Sequence, residues 1–97
     1  MLRKEFGIIT PDRARKKLEG EGFSGIRVWR DSAGTIYPDH RHPGKHAYLV
    51  LDGQMDLTID GKTTTLRQQD RFDVPAGTIH SARMGAQGCW YATGEKR

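Results

Sequence analysis

The spacing of apolar residues changes near Ile26, and this change predicts two kinds of structure. Before it, Ala14 and Leu18 recur four residues apart, as on one face of a helix. After it, stretches rich in β-branched and aromatic residues recur roughly every eight to twelve residues between turn signals, a pattern typical of an all-β sandwich or barrel. We therefore expect one short helix followed by strands alone.

Residues ahead of the thin apolar stripe mark the start of the helix. Thr10 offers a capping hydroxyl, Pro11 suits the first helical position, and Asp12 is favoured there by the helix dipole. Gly20 and Gly22 are expected to end the helix. We expect this helix to lean on the domain without forming its centre.

Turn signals divide the rest of the chain into strands. Asp52-Gly53 and Asp60-Gly61 each lie between β-like runs, and Asp-Gly favours two-residue hairpins because both central residues need positive φ. The runs on either side of these turns are expected to form a meander. The predicted strands span residues 26–30, 35–42, 46–51, 54–59, 62–66, 71–74, 79–84 and 89–93.

Length and hydropathy indicate one small domain. The chain has 97 residues, of which 35% are hydrophobic, and chains usually divide into domains only beyond roughly 250 residues. The longest apolar run, residues 47–51, is far shorter than the roughly 20 residues of a membrane span. We expect a single domain over residues 1–97, with a helix and lead-in over 1–25, a barrel over 26–97 and no membrane association.

Charge and cysteine content argue against further classes. The net charge is +4, but the basic residues are scattered, and the densest group, within residues 13–17, is best interpreted as a solvated helix face. Because no basic stripe is interleaved with aromatic residues, we expect no nucleic-acid partner. Cys89 is the only cysteine and cannot form a disulfide within the chain, which favours a cytoplasmic location and a packing role for its thiol.

All four histidines lie beside turns in the predicted β region. His40 and His42, two residues apart on a strand, project to the same side. Pro43 and Gly44 can reverse the chain, so that His46 faces the same interior point. The fourth, His80, follows a Pro-Ala-Gly turn much later in the chain. These four imidazoles could therefore share one ion.

The spacing of these residues resembles the first motif of the cupin superfamily. That motif runs Gly, five residues, His-x-His, three or four residues, Glu, six residues, Gly. Its positions correspond here to Gly34, His40, His42, His46 and Gly53. The one departure is His46, which stands where the family usually has Glu.

The second cupin motif follows in the right order and is partly matched. It runs Gly, five residues, Pro-x-Gly, two residues, His, three residues, Asn, and the chain matches it at Pro75, Gly77 and His80. Gln69 and Met84 depart from it. The resemblance covers most of the chain from residue 34 to residue 84.

This resemblance implies a compact antiparallel β-barrel of the double-stranded β-helix, or jelly-roll, type, often dimeric and with a metal site facing inward. The metal ligands are then His40, His42, His46 and His80. Neutral imidazole suits Zn, Fe, Ni and Cu better than hard cations, and we expect a divalent transition metal from the set Zn, Fe, Ni, Cu or Mn. With His46 in place of Glu, the ligands would leave the ion its full +2 charge, which favours an anionic ligand.

The function predicted first is that of a metal-dependent, dioxygenase-like enzyme acting on a small anionic organic substrate, as a homodimer. Two alternatives stay open: a non-catalytic module that binds or senses a small ligand, and a barrel in which the metal is structural. The catalytic residue is unknown, because no general base stands out. Four residues could line a pocket, although such residues in strands are usually core: Tyr48, Phe72, Met84 and Trp90.

Overall fold

The computed structural model describes residues 2–5, 7 and 10–97, so residues 1, 6, 8 and 9 of the predicted lead-in lie outside the described part. The predicted class, all-β with one short helix, is confirmed. No helix in these ranges is long and apolar enough to cross a membrane. The elements are β1 Leu2–Lys4, α1 Pro11–Gly20, β2 Ser24–Asp31, β3 Ile36–His40, β4 Lys45–Ile59, β5 Lys62–Leu66, β6 Asp70–Val74 and β7 His80–Lys96.

Helix α1 begins and ends where the sequence predicts. The hydroxyl of Thr10 caps it by accepting a hydrogen bond from the backbone N–H of Arg13 at 3.2 Å, and Pro11 is the first helical residue. Ala14 and Leu18 are its two buried residues. The helix is therefore held by this narrow stripe, which packs on one face of the sheet.

The strands form one antiparallel sheet in the order β1, β6, β4, β7, β2, with β3 also paired to β7 and β5 to β4. The long strands β4 and β7 pair with each other at its centre. No pairing between described residues joins β1 to β2, so the barrel is curled without being closed. Strand β1 was not predicted, because its three residues are all exposed and carry no alternating pattern.

One predicted hairpin is wrong. Asp60 and Gly61 form the expected turn between β4 and β5, with φ of 51° and 75°. Asp52 and Gly53 do not, because β4 continues through them with two register shifts in its pairing to β7. A Cβ at Gly53, whose φ is 81°, would lie 2.3 Å from the carbonyl oxygen of Gly88. Pairing on both sides therefore turns the local Asp-Gly preference into a bulge.

Alternation along β4 separates two apolar clusters. Odd-numbered residues from 47 to 51 pack under α1, and even-numbered residues 48 and 50 face the other side of the sheet. The helix-side cluster is Ala14, Leu18, Phe23, Ala47, Leu49, Leu51 and Ala92. The inner cluster is Tyr48, Val50, Met55, Leu57, Leu66, Val74, Ala82, Met84, Cys89 and Tyr91.

A buried arginine lies on the helix side of the sheet. Arg71 on β6 is 0% exposed. Its guanidinium donates five hydrogen bonds of 2.7 to 3.2 Å to the carboxylates of Glu5, Glu21 and Asp73. These four residues form the arginine cluster, which ties β1, the end of α1 and β6 together.

Candidate metal centre

Alternate residues of several strands line one cavity of about 610 Å³. Strand β7 contributes every second residue from Tyr91 to Glu95, and β4 contributes His46 and Tyr48, since such residues share a face of the sheet. Strand β2 adds Arg27 and Trp29. The other lining residues are Ser24, Gly25, Tyr37, Pro38, Asp39, His40, His42, Ala82 and Arg97.

Strand ends and turns bring the four histidines together, and three of them, His40, His42 and His46, line this cavity, whereas His80 is buried beside it. His40 ends β3 and pairs with His80 at the start of β7, and their ring centroids are 4.2 Å apart. His42 follows in the loop, and its carbonyl oxygen accepts a hydrogen bond from the N–H of Gly77 at 2.9 Å. The turn of the second motif is thereby tied to the first. His46 lies near the start of β4.

The histidines form two overlapping groups. The nitrogens of His40, His42 and His80, the first triad, lie within 4.8 Å of one another. His46 belongs instead to a second triad with His42 and Glu95, whose ligand atoms meet the same limit. The rings of His46 and His80 are 6.5 Å apart between centroids. All four imidazoles are therefore neighbours, with His42 shared, but they do not form one compact group of four.

The imidazole rings of His42 and His46 are stacked, which limits where the lone pairs of their nitrogens can point. His42 and His46 are stacked at 3.9 Å between centroids, with planes only 8° from parallel. A nitrogen lone pair lies in the plane of its imidazole ring, and nearly parallel planes do not meet near the rings. In this arrangement, one ion cannot lie in the planes of both His42 and His46.

Backbone carbonyls determine which nitrogen carries the hydrogen in two imidazoles. Nδ1 of His40 lies 2.8 Å from the carbonyl oxygen of Pro38, and Nδ1 of His80 lies 2.9 Å from that of Thr78. Because a carbonyl oxygen only accepts hydrogen bonds, each Nδ1 donates and each Nε2 keeps its lone pair. Such outer contacts are those that orient metal-binding histidines.

His46 carries a nitrogen without a partner. Its Nδ1 is buried and has no hydrogen-bond partner among the described residues. Burial, with smaller contributions from His42 and His80, lowers the pKa of His46 from 6.5 to about 4. Burial also lowers the pKa of His42 and of His80. These three imidazoles are therefore neutral near pH 7, the form that binds a metal ion.

Tyr48 reaches the first triad from the inner cluster. Its hydroxyl lies 3.0 Å from Nε2 of His80, and because Nε2 of His80 has no hydrogen, the hydroxyl is the donor. Burial raises the pKa of Tyr48. The phenol therefore keeps its proton and is a hydrogen-bond donor beside the nitrogen to which a metal ion would bind.

Aromatic side chains form the remaining wall of the cavity. Tyr37 and Tyr91 both donate to Oδ2 of Asp31, at 2.9 and 2.6 Å. Burial, helped by these bonds, raises the pKa of both phenols. The guanidinium of Arg27 lies 4.0 Å from the ring centroid of Trp29. The wall therefore offers flat apolar surface and one stacked cation.

The comparisons with known proteins agree with this geometry. A family model described as "Cupin domain" matches residues 27–87, a stretch that contains all four histidines. The chain belongs to the cupin family.

Two solved cupins share the fold, and the match to each covers 74% of this chain. A cupin superfamily protein from Desulfitobacterium hafniense has a TM-score of 0.67, 22% identity and 66% of its own length covered. A cupin 2 conserved barrel domain protein from Leptotrichia buccalis has a TM-score of 0.70, 19% identity and 35% of its length covered.

One curated relative has a named activity. This cupin is 46% identical over 52 residues to a quercetin 2,3-dioxygenase from Bacillus subtilis (strain 168). The similar stretch is 53% of this chain and 15% of that enzyme. The likeness therefore concerns one part of a much longer protein.

Glu95 is the site residue that the sequence analysis missed. It pairs with His46 across β4 and β7, although 49 positions separate the two residues. Only the register of two long strands brings this carboxylate to the imidazoles, and no local pattern in the sequence marks it. The hydrogen bond from the guanidinium of Arg97 lowers the pKa of Glu95, so the carboxylate is ionised.

The other residues that the sequence analysis considered as pocket or packing residues can now be located in the fold. Tyr48 lines the cavity, whereas Phe72 and Met84 belong to the inner core and Trp90 packs on the helix-side cluster. Cys89 is buried, and burial raises the pKa of its thiol to about 12. Its predicted role as a packing residue therefore agrees with its surroundings.

Proposed function

We propose that this cupin is a metal-dependent, dioxygenase-like enzyme that acts on a small anionic organic molecule. The observation that carries the proposal is the first triad. Its nitrogens lie within 4.8 Å of one another at a cavity, and two of its imidazoles are already held with Nε2 as an acceptor. The partial similarity to a quercetin 2,3-dioxygenase supports the reaction class.

The residues present fit a divalent transition metal. The proposed ligands are His40, His42, His46 and His80, which requires one of the stacked His42 and His46 rings to turn when the ion binds. The unpartnered Nδ1 of His46 is a lone-pair atom that an ion would satisfy. Imidazole nitrogens favour Zn, Fe, Ni or Cu over hard cations such as Mg and Ca. When bound, such a metal supplies a Lewis acid that attracts and polarises an anionic oxygen.

The cavity favours a flat organic anion. Trp29, Tyr37 and Tyr91 provide aromatic surface, which suits an unsaturated or aromatic molecule. Arg27 makes no ion pair among the described residues, so its stacked guanidinium is available to a carboxylate or an enolate. A volume of about 610 Å³ accommodates a small molecule of this kind.

Tyr48 is the proposed hydrogen-bond donor to the substrate. Its phenol holds its proton at the oxygen beside Nε2 of His80. Once that nitrogen is engaged by a metal, the hydroxyl needs another acceptor. An anionic oxygen of the substrate at the triad would take that place, which binds and orients the substrate.

Elemental analysis of protein purified without added metal tests the metal centre, and spectroscopy of the loaded protein tests for open coordination positions. We expect close to one transition-metal ion per chain and oxygen uptake with a diketone, a phenol or a thiol. Ligand-dependent stabilisation without oxygen uptake would favour the binding module instead. A closed tetrahedral ion would favour the structural barrel.

Three further predictions belong to this proposal. The cupin domain is predicted to span residues 1–97, to pair into a homodimer and to work in the cytoplasm. Sedimentation of the purified protein tests the dimer, and fractionation of the source cells tests the location. A monomer at all concentrations would contradict the predicted homodimer.

A further inference from the structure

Strand pairing places Glu95 beside two of the histidines. Glu95 and His46 are directly paired on β7 and β4. The ligand atoms of Glu95, His46 and His42 all lie within 4.8 Å of one another. Glu95 lies outside residues 27–87, the stretch that the family model matches. This carboxylate is therefore a feature of this chain and not part of the matched family pattern.

The two oxygens of the Glu95 carboxylate have different surroundings. The backbone N–H of Gly44 and Nε of Arg97 both donate to Oε2, each at 3.0 Å. None of the hydrogen bonds among the described residues reaches Oε1. The two contacts on Oε2 hold the group in place and leave Oε1 as the oxygen whose lone pairs are available to an ion.

We propose that Glu95 is a carboxylate ligand of the metal centre, an inference that rests on the proposed metal-dependent function. It supplies the negative charge that the cupin motif usually places at the position of His46. The buried and unpartnered Nδ1 of His46 is the second observation that points to an ion here. The charge has moved from one strand to its direct partner.

This assignment changes the expected chemistry of the centre. Neutral imidazoles alone would leave the ion its full charge, whereas Glu95 offsets one unit. A carboxylate oxygen is also a harder donor than imidazole and makes Mn and Fe better occupants than an all-nitrogen site would.

Binding of Co²⁺ alone to the metal-free full chain tests the proposal. We expect Glu95→Gln to weaken Co²⁺ binding about 100-fold, the upper end of the range for losing a group that supports a metal site. The absorption spectrum of bound Co²⁺ should also change, because a neutral amide replaces a charged carboxylate ligand. Glu95→Asp keeps the charge but shortens the side chain by one methylene, and we expect it to weaken binding and alter the spectrum as well.

Asp39→Asn is the matched control. Asp39 lines the same cavity and acts electrostatically on His80, but it lies outside both triads. Its loss should weaken Co²⁺ binding about fivefold or less, as expected for a partly solvated charge. In about 1 M salt such long-range effects are screened, whereas the effect of losing a ligand persists.

The outcomes separate this proposal from the proposed function. If the wild-type chain binds Co²⁺ and Glu95→Gln binds it with the same affinity and spectrum, the role of Glu95 is overturned and the proposed metal centre is unaffected. A Glu95→Gln effect that disappears in high salt with no spectral change would overturn it too, since Glu95 would then act only as a nearby charge. No Co²⁺ binding by the wild-type chain would overturn both proposals.

Discussion

Two clusters of ionisable side chains lie on opposite faces of the central sheet, and they differ in whether their hydrogen bonds are complete. Arg71 uses all five N–H donors of its guanidinium on three carboxylates. In the histidine cluster, Nδ1 of His46 has no partner among the described residues. The first cluster is complete without any ligand, whereas the second has lone pairs that a metal ion would satisfy.

This difference indicates separate roles for the two clusters. A buried charge with every partner in place contributes to holding neighbouring elements together, here β1, α1 and β6. A buried polar atom without a partner costs free energy, which the protein recovers only when something binds. We therefore expect changes in the arginine cluster to affect stability and changes in the histidine cluster to affect metal binding.

The largest expected effect is the loss of the arginine cluster. Arg71→Met leaves the carboxylates of Glu5, Glu21 and Asp73 close together without their shared cation. We expect the free energy of unfolding to fall by about 3 to 5 kcal/mol, measured by urea denaturation. The metal affinity of the folded fraction should not change.

Arg3→Met is the control for this change. Arg3 contacts Glu5 and Glu21 at 3.1 and 3.6 Å, but its side chain is 47% exposed. We expect its loss to cost less than about 1 kcal/mol. Equal costs for Arg71→Met and Arg3→Met would mean that completeness and burial do not distinguish the arginine cluster from a surface ion pair.

The second effect is the loss of metal binding when the shared imidazole is removed. His42 belongs to both triads, so His42→Ala should lower metal affinity at least about 100-fold, more than His46→Ala does. Isothermal titration of the metal-free protein measures this. Thr93→Ala, a change on the same cavity wall, is the control and should bind normally. Unchanged metal content in His42→Ala would remove the site from consideration.

Much of the fold could be predicted from local signals. Helix α1 and the turn at Asp60 and Gly61 depend on residues that lie next to each other, and both are confirmed. The hairpin at Asp52 and Gly53 failed because distant pairing with β7 overrides the local preference. Local chemistry therefore predicts an element only where no longer-range pairing competes.

The candidate site divides in the same way. His40 and His42 could be grouped from their spacing, and His80 from its place in the second motif. Glu95 could not, because its position depends on the register of β7 against β4. The stacking of His42 on His46 was likewise beyond the sequence, which predicted one shared interior point for all four rings.

The third prediction concerns acid. Burial lowers the pKa of His42, His46 and His80 in the folded protein, so below about pH 6.5 the unfolded chain binds more protons than the folded chain. Stability should therefore fall as the pH drops from about 6.5 towards 4, by on the order of 2 kcal/mol from His46 alone. Urea denaturation at several pH values measures this.

The arginine cluster should respond to acid in a lower range. The hydrogen bond from Arg71 lowers the pKa of Glu21 below 4.5, so the stability from this pair is present above about pH 4.5 and is lost as the pH falls through the lowered value. His46→Gln should make the profile less steep between about pH 6.5 and 4 and leave the part below that range unchanged. Metal should also dissociate around and below about pH 6. Metal content that stays constant into strong acid would contradict histidine ligation.

The smallest effect is expected at Tyr48, where a hydrogen bond competes with metal binding. Tyr48→Phe removes the hydroxyl that donates to Nε2 of His80, which should destabilise the metal-free protein by about 1 kcal/mol. Because metal binding no longer has to displace this hydrogen bond, affinity should rise about fivefold. Tyr37→Phe is the control, since it loses a hydrogen bond to Asp31 in the same cavity without touching a triad. Weaker metal binding by Tyr48→Phe would show that the hydroxyl stabilises the metal-bound site instead of competing with the metal for Nε2 of His80.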